Sequence, residues 1–148
     1  MTDHDVLDEL VCFDLYAASR AMTQRYRPLL EAHGLTYPQY LVVVLLGGTG
    51  PSSIKSLAGT LRLDHATLTP LLRRMEDAGL VGRRRDPDDG RSSLIELTDL
   101  GREAWAGAEA VQCRIVEDLD MSPDDVRALQ VTLRAITASM DRAVASEA

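Results

Sequence analysis

Aromatic side chains are scarce in this sequence: its 148 residues include one Phe, one Trp and four Tyr. An interior built mainly from Leu, Ala and Val favours helices packed through aliphatic side chains, so a mostly α fold is expected. Cysteine is also rare. Cys12 and Cys113 alone exclude a disulfide-stapled scaffold and leave, for each, either a buried spectator thiol or a reactive one. The longest apolar stretch, Tyr40 to Leu46, falls far short of the ~20 residues that a membrane-spanning helix needs. The acidic start MTDHDVLDELV lacks the basic region and cleavage site of a secretory signal, so a cytoplasmic location with no membrane partner is expected.

Signatures of catalysis are missing. His4, His33 and His65 are scattered, with neither His-x-x-x-His nor paired carboxylates at ligand spacing nearby, so no metal is expected. There is no Gly-rich phosphate loop and no Ser/His/Asp constellation, and hence no enzyme activity or cofactor is assigned. A thiol peroxidase would need thioredoxin-like alternation of strands and helices or a Cys-x-x-Cys pair, and neither appears. Basic charge is in overall deficit, 16 Lys and Arg against 23 Asp and Glu for a net −7, which excludes a uniformly polybasic nucleic-acid binder. The deficit is uneven. From Lys55 to Arg91 eight basic residues face six acidic ones, whereas the remainder carries eight against seventeen. A basic middle between acidic ends points to a polyanion partner for one lobe, with a solvated basic face as the plain alternative.

Residues 5–32 carry Leu7, Val11, Leu15, Ala18, Met22, Tyr26 and Leu29 at spacings of three or four, one stripe of a long helix whose end Pro28 should bend. Thr36 and Pro38 open a second helix, apolar nearly all round and so expected in the core, running to a stop at Gly47-Gly48. After a loop at Thr49–Ser53 comes a short helix, Ile54 to Leu61, and Asp64 caps another with Leu68, Leu71, Leu72, Met75 and Leu80 as its apolar positions. Two short helices so joined form a helix-turn-helix. Leu80 to Arg85 and Ser92 to Leu97 read as strands around the turn Asp86-Pro-Asp-Asp-Gly-Arg, a β-hairpin wing. Thr98-Asp-Leu-Gly and then Met121-Ser-Pro-Asp-Asp cap two long helices, from about 99 to 118 and to about 145. The expected architecture is a winged helix-turn-helix lobe, 36–97, between helical regions 1–35 and 98–148. Those outer helices lack a second lobe to pack on, which implies a two-fold homodimer.

In a helix-turn-helix the second helix lies in the major groove and its N-terminal residues face base edges. Here these are His65, Ala66, Thr67, Thr69 and Pro70, with Arg73 and Arg74 a turn on. Short side chains let such a helix sit deep, while Arg takes phosphate or guanine. Arg91 at the hairpin tip suits the minor groove and Arg83, Arg84 and Arg85 the phosphates. Ion pairs with Asp86, Asp88 and Asp89 are the alternative for that triplet.

The stretches Ser56-Leu-Ala-Gly-Thr-Leu, Thr67-Leu-Thr-Pro-Leu-Leu-Arg-Arg-Met-Glu-Asp-Ala-Gly-Leu-Val, Arg84-Arg-Asp-Pro-Asp-Asp-Gly-Arg-Ser and Leu97-Thr-Asp-Leu-Gly resemble the MarR family of bacterial winged-helix repressors. The wing motif ends in that family's Asp-x-Arg, at Asp89 and Arg91, which adds Asp89 to the DNA-reading set. Cys12-Phe-x-Leu-Tyr-x-Ala-Ser-Arg, Tyr26-Arg-Pro-Leu-Leu and Gly34-Leu-Thr-Tyr-Pro-Gln-Tyr resemble its organic hydroperoxide resistance branch. That resemblance implies a peroxide-sensing thiolate at Cys12, hydrogen-bond donation to it from the partner subunit's counterparts of Tyr26 and Tyr37, a third site tyrosine at Tyr16, and a resolving thiol at Cys113.

Helix geometry is compatible with those roles. Cys12 and Tyr16 stand one turn apart on one face. Tyr26 returns within ~40° of the same azimuth but lies ~21 Å along the axis, so it reaches a Cys12 only on an antiparallel partner helix. Phenol donors aimed at sulfur lower its pKa, and Phe13 and Met22 are expected to line an apolar pocket there. The implied function is a repressor whose reduced dimer binds a pseudo-palindromic operator in double-stranded DNA and releases it when an organic hydroperoxide oxidises Cys12. The alternatives are a repressor governed by a reversibly bound phenolic ligand, with Cys12 incidental, and a winged helix used for protein contacts alone.

Overall fold

The computed structural model describes residues 6–148; the expected first residue of the opening helix, at position 5, and His4 lie outside them. The chain divides into two compact units, Met1–Gln112 and Cys113–Ala148. Helix α1 spans Val11–Glu31 and so starts later than the stripe of residues 5–32 suggests. Residues 8–9 form a turn and Leu10 is extended, with φ −99 and ψ 99 and no side-chain cap, so Leu7 does not belong to this helix. The helix continues through Pro28 to Glu31.

Helix α2 (Tyr37–Thr49) begins with a reciprocal cap: the Thr36 hydroxyl accepts from the Gln39 N–H at 3.4 Å, and the Thr36 N–H donates to the Gln39 side-chain oxygen at 3.0 Å. Its Tyr40, Val42, Val43 and Leu46 are buried, as the all-round apolar sequence requires. The expected stop at Gly47-Gly48 is corrected: the helix runs through both glycines and ends at Gly50, whose φ of 82 suits glycine. Gly47 serves packing instead, because any Cβ there would collide with the ring of Trp105.

The expected loop at Thr49–Ser53 contains a short strand, β1 (Ser52–Ser53), that pairs antiparallel with β3. Helix α3 (Ile54–Leu61) is capped by Ser53, whose hydroxyl accepts from the Ser56 N–H at 3.1 Å, and a left-handed Arg62 ends it. Helix α4 (His65–Asp77) follows the Asp64 cap. Strands β2 (Val81–Arg85) and β3 (Ser93–Leu97) pair with Val81 opposite Leu97 and Arg85 opposite Ser93, in the sheet order β1-β3-β2. Leu57, Leu68, Leu72, Met75 and Ile95 are fully buried between helices and sheet, together with Leu30, Val42 and Val43.

Helix α5 (Asp99–Asp118) starts at Thr98, whose hydroxyl accepts from the Gly101 N–H at 3.1 Å and donates to the Gly79 carbonyl at 2.5 Å. This pins the wing base to the helix start. A Cβ on Gly101 would strike the Leu80 backbone carbonyl, which has no freedom to rotate away. Gly101→Ala is therefore expected to cost roughly 1–3 kcal/mol of unfolding free energy, read as a lower denaturant midpoint at unchanged slope. In the second unit, helix α6 (Pro123–Glu147) is capped by Ser122, which accepts from the Asp125 N–H at 3.1 Å. It buries no residue. Among the described residues no helix is long and apolar enough to cross a membrane.

Candidate functional site

The candidate site residues fall in two regions of the first unit, apart from Cys113, which opens the second. The first is α4 and the wing. Leu68, Leu71, Leu72 and Met75 of α4 point into the core, whereas His65, Ala66, Thr67, Thr69, Pro70, Arg73 and Arg74 are all exposed. Helical periodicity thus sorts the helix into an anchoring face and a polar, basic outer face. The helix is continuous through Pro70; lacking an N–H, Pro70 leaves the carbonyl of Ala66 without its helical partner.

The helix start is held by Asp64, which accepts from the Thr67 N–H at 2.7 Å. Hydrogen bonds from the Thr67 side chain, then from its backbone, with His65 adding charge, hold the Asp64 carboxyl below the usual carboxylate range. A carboxyl depressed in the folded state contributes stability that is present above its unfolded pKa and is lost as pH falls through the folded value. Asparagine caps equally well without titrating. Asp64→Asn should therefore leave neutral-pH stability nearly unchanged and flatten the acid side of the stability–pH curve, measured by urea denaturation between neutral pH and the acid limit.

In the wing, Arg83 pairs with Glu76 of α4 at 2.7 Å and Arg84 with Glu96 of β3 at 3.1 Å. The alternative partners, Asp86, Asp88 and Asp89, form neither pair. Asp86 accepts from the Asp88 N–H at 2.9 Å, and Asp89 accepts from the Arg91 N–H at 3.0 Å and from the Ser92 hydroxyl at 3.1 Å. The tip is therefore tied to itself, with Arg91 at its corner. Arg73, Arg74, Arg85 and Arg91 make no ion pair among the described residues.

The second region runs along α1. Cys12 is exposed, as is Cys113 on α5. Tyr16, one turn after Cys12, is 56% exposed and lies 6.3 Å from Phe13 between ring centroids, with the Arg20 guanidinium 5.5 Å above its ring. Among the described residues of the single chain no closed apolar pocket surrounds Cys12: Phe13 and Met22 are only half-buried and Val11 is 66% exposed. The physical reason is that, among the described residues, nothing buries the first turns of α1; burial in that helix begins at Tyr26.

Tyr26 and Tyr37 do come together, 4.9 Å apart between ring centroids. A third tyrosine, which ends the Gly34–Tyr40 motif without an assigned role, completes the cluster: Tyr40 lies 5.3 Å from Tyr26 and 6.3 Å from Tyr37. Its signal was available, since Tyr40 follows Tyr37 by three on a capped helix and so shares its face. Tyr26 and Tyr40 are 8% and 4% exposed. Burial, then the neighbouring Tyr40, pushes the Tyr26 phenol up to about 12, and burial likewise raises Tyr37 and Tyr40. All three keep their protons far above neutral pH and remain hydrogen-bond donors. Beside them Thr23, Gln24, Arg27, Glu31, Leu35, Thr36 and Tyr37 line an open cleft of ≈ 480 Å³. Because α1 is unbroken, Tyr26 stays ~21 Å up the axis from its own Cys12. Among the described residues no group of three His, Cys, Asp or Glu is arranged to hold a metal.

A capped recognition-type helix backed by a three-stranded sheet with a self-tied hairpin tip defines a winged helix-turn-helix protein. A profile of the MarR family matches residues 35–93. The organic hydroperoxide resistance transcriptional regulator of Bacillus subtilis (strain 168) is 41% identical over 131 residues, 88% of this chain and 89% of that protein. The chain thus belongs to the MarR family and is a transcriptional regulator. Among solved structures, reduced AbfR bound to DNA shares 30% identity at a TM-score of 0.77 and covers 97% of this chain and 99% of its own. The transcriptional repressor CouR bound to a 23-mer DNA duplex shares 27% at 0.82, over 93% and 99%.

Proposed function

We propose that this regulator is a homodimeric repressor that binds double-stranded operator DNA when reduced and releases it when an organic hydroperoxide oxidises Cys12. The observation that carries the reading is the separation, along one unbroken helix, of the exposed Cys12 thiol from the buried, protonated Tyr26 phenol ~21 Å away, around which Tyr37 and Tyr40 cluster. An antiparallel second copy brings each thiol to the other's Tyr26 and Tyr37. Pairing of copies is supported by α6, which buries nothing and exposes Leu129, Leu133, Met140 and Val144 at helical spacing. Regions 1–35 and 98–148 then form the dimer, and lobe 36–97 reads DNA.

On DNA, α4 enters the major groove with His65, Ala66, Thr67, Thr69 and Pro70 at base edges and Arg73 and Arg74 on guanine or phosphate. Arg91 enters the minor groove, held by Asp89, while Arg83 to Arg85 face the phosphates. Both copies then engage successive major grooves ~34 Å apart. The sensing step is a two-electron exchange. The Cys12 thiolate, favoured by Tyr16 and the partner's phenols, attacks the hydroperoxide's terminal oxygen; the O–O bond breaks and the alkoxide leaves to become the alcohol after protonation. Sulfur is oxidised to the sulfenic acid and the peroxide is reduced. Condensation with a Cys113 thiol then forms a disulfide and releases water. A coupling of a few kcal/mol between sulfur state and lobe spacing suffices to free the operator.

The test pairs a salt-dependent gel shift with intact mass under non-reducing conditions, before and after one equivalent of cumene hydroperoxide. The expected result is loss of the shifted band together with a gain of one oxygen or a disulfide-linked pair. An unchanged band despite oxidised sulfur, with release by a phenolic ligand instead, would establish the reversible-ligand alternative.

A further inference from the structure

Two glutamates stand where a DNA-reading lobe is expected to carry cations, and each holds an arginine of the wing: Glu76 of α4 pairs with Arg83 at 2.7 Å, and Glu96 of β3 with Arg84 at 3.1 Å. The two pairs lie on opposite faces of the sheet. Directly opposed residues of an antiparallel ladder project to the same side. Arg83 is opposite the fully buried Ile95 and so lies on the core side, where it meets α4; Arg84 is opposite Leu94, on the other side, which Glu96 shares. Along α4, Glu76 follows Arg73 by three residues and Thr69 by seven. That spacing returns it within ~20° of the Thr69 azimuth, ~10 Å further along the helix. Its carboxylate therefore stands on the outer face of α4, at the end nearest the wing.

The wing does not depend on this pair for its position. Only residues 78–80 separate α4 from β2, the Leu80 N–H donates to the Met75 carbonyl at 2.9 Å, and the Thr98 hydroxyl holds the Gly79 carbonyl. The side chains of Arg83 and Glu76 are 38% and 31% exposed, and ion pairs so exposed add little to stability. The larger consequence is electrostatic, because the pair presents no net charge to a polyanion. We propose that Glu76 is an affinity-setting residue: it keeps Arg83 from neutralising a phosphate, so that the lobe grips the DNA backbone with fewer cations than its sequence contains. This rests on the DNA-reading role proposed for α4 and the wing. A simple exchange of partners does not free Arg83 on DNA, since its departure would leave a bare carboxylate beside the phosphates, and the field that attracts the guanidinium repels Glu76. Non-specific binding is almost wholly electrostatic. Holding one arginine back lowers it and leaves the base contacts of α4 a larger share of operator affinity.

Glu76→Gln keeps the shape of the side chain and removes its charge. Because a backbone contact carries no sequence information, a fluorescein-labelled random-sequence duplex is a sufficient probe, titrated with the full-length protein by fluorescence anisotropy across a range of salt. Glu76→Gln is expected to bind tighter, with a slope of log affinity against log salt steeper by about one for each subunit engaged. One added phosphate contact corresponds to a gain of roughly fivefold per subunit at ~0.15 M salt, shrinking to roughly threefold at ~0.3 M. Adding Arg83→Gln to the Glu76→Gln protein should abolish the gain. Glu96→Gln removes an equally paired charge from the far face of the sheet and should leave the slope unchanged. A gain that survives in the double variant, or that is matched by Glu96→Gln, reports bulk charge and overturns the assignment. Weaker binding by Glu76→Gln overturns it too, since the pair would then be a brace. An unchanged slope in Glu76→Gln beside a reduced one in Arg91→Ala likewise overturns the role of Glu76 alone. A slope that moves in none of these variants overturns the wing's contact with DNA itself, so the two failures are distinguishable.

Discussion

Cys12→Ser is expected to bind operator DNA as the parent does and to remain bound when cumene hydroperoxide is added. Serine keeps the size and exposure of the residue but offers a hydroxyl that stays protonated and does not attack peroxide at neutral pH. The parent should lose roughly 5- to 150-fold in affinity on oxidation, the range spanned by ordinary coupling energies of about 1–3 kcal/mol. The readout is a fluorescence-anisotropy titration with and without one equivalent of oxidant. Because Cys12 is exposed in the single chain, its substitution leaves no cavity in the lobe that reads DNA, and a lost response cannot be attributed to a damaged lobe. Release of the Cys12→Ser protein at parental peroxide doses would sink the sensing role. In Cys113→Ser, the peroxide should still be consumed, but no disulfide-linked pair should appear on a non-reducing gel.

The second large effect belongs to the wing tip. Arg91→Ala is expected to weaken operator binding by about 1–3 kcal/mol and to reduce the slope of log affinity against log salt by about one. Asp89→Ala keeps the charge of Arg91 but removes the acceptor of both the Arg91 N–H and the Ser92 hydroxyl. It should weaken binding while leaving the salt slope intact, since Arg91 still brings its cation to the DNA and the same counterions are displaced. Equal slopes in the two variants would mean that Arg91 makes no contact of its own and that the tip acts only through its shape. Arg83 and Arg84 are held by Glu76 and Glu96, so their truncation is expected to have smaller effects than that of Arg91.

What the residues alone determined was local. The caps at Thr36, Asp64 and Ser122 are contacts of i with i+3, and the two faces of α4 follow from a 3.6-residue period, so both were legible along the chain. The wing was legible because its turn carries a dense run of Asp, Pro and Gly. The tertiary structure decided what depends on residues far apart in sequence. Gly47 looks like a helix stop and is instead the seat of Trp105; Ser52-Ser53 looks like loop and gains a partner only from β3, far downstream. The Tyr26–Tyr40 contact joins two helices whose packing angle no local spacing encodes. The bare first turns of α1 are likewise a tertiary result: an apolar stripe marks a face to be covered, but only the packing shows that none of the described residues covers it.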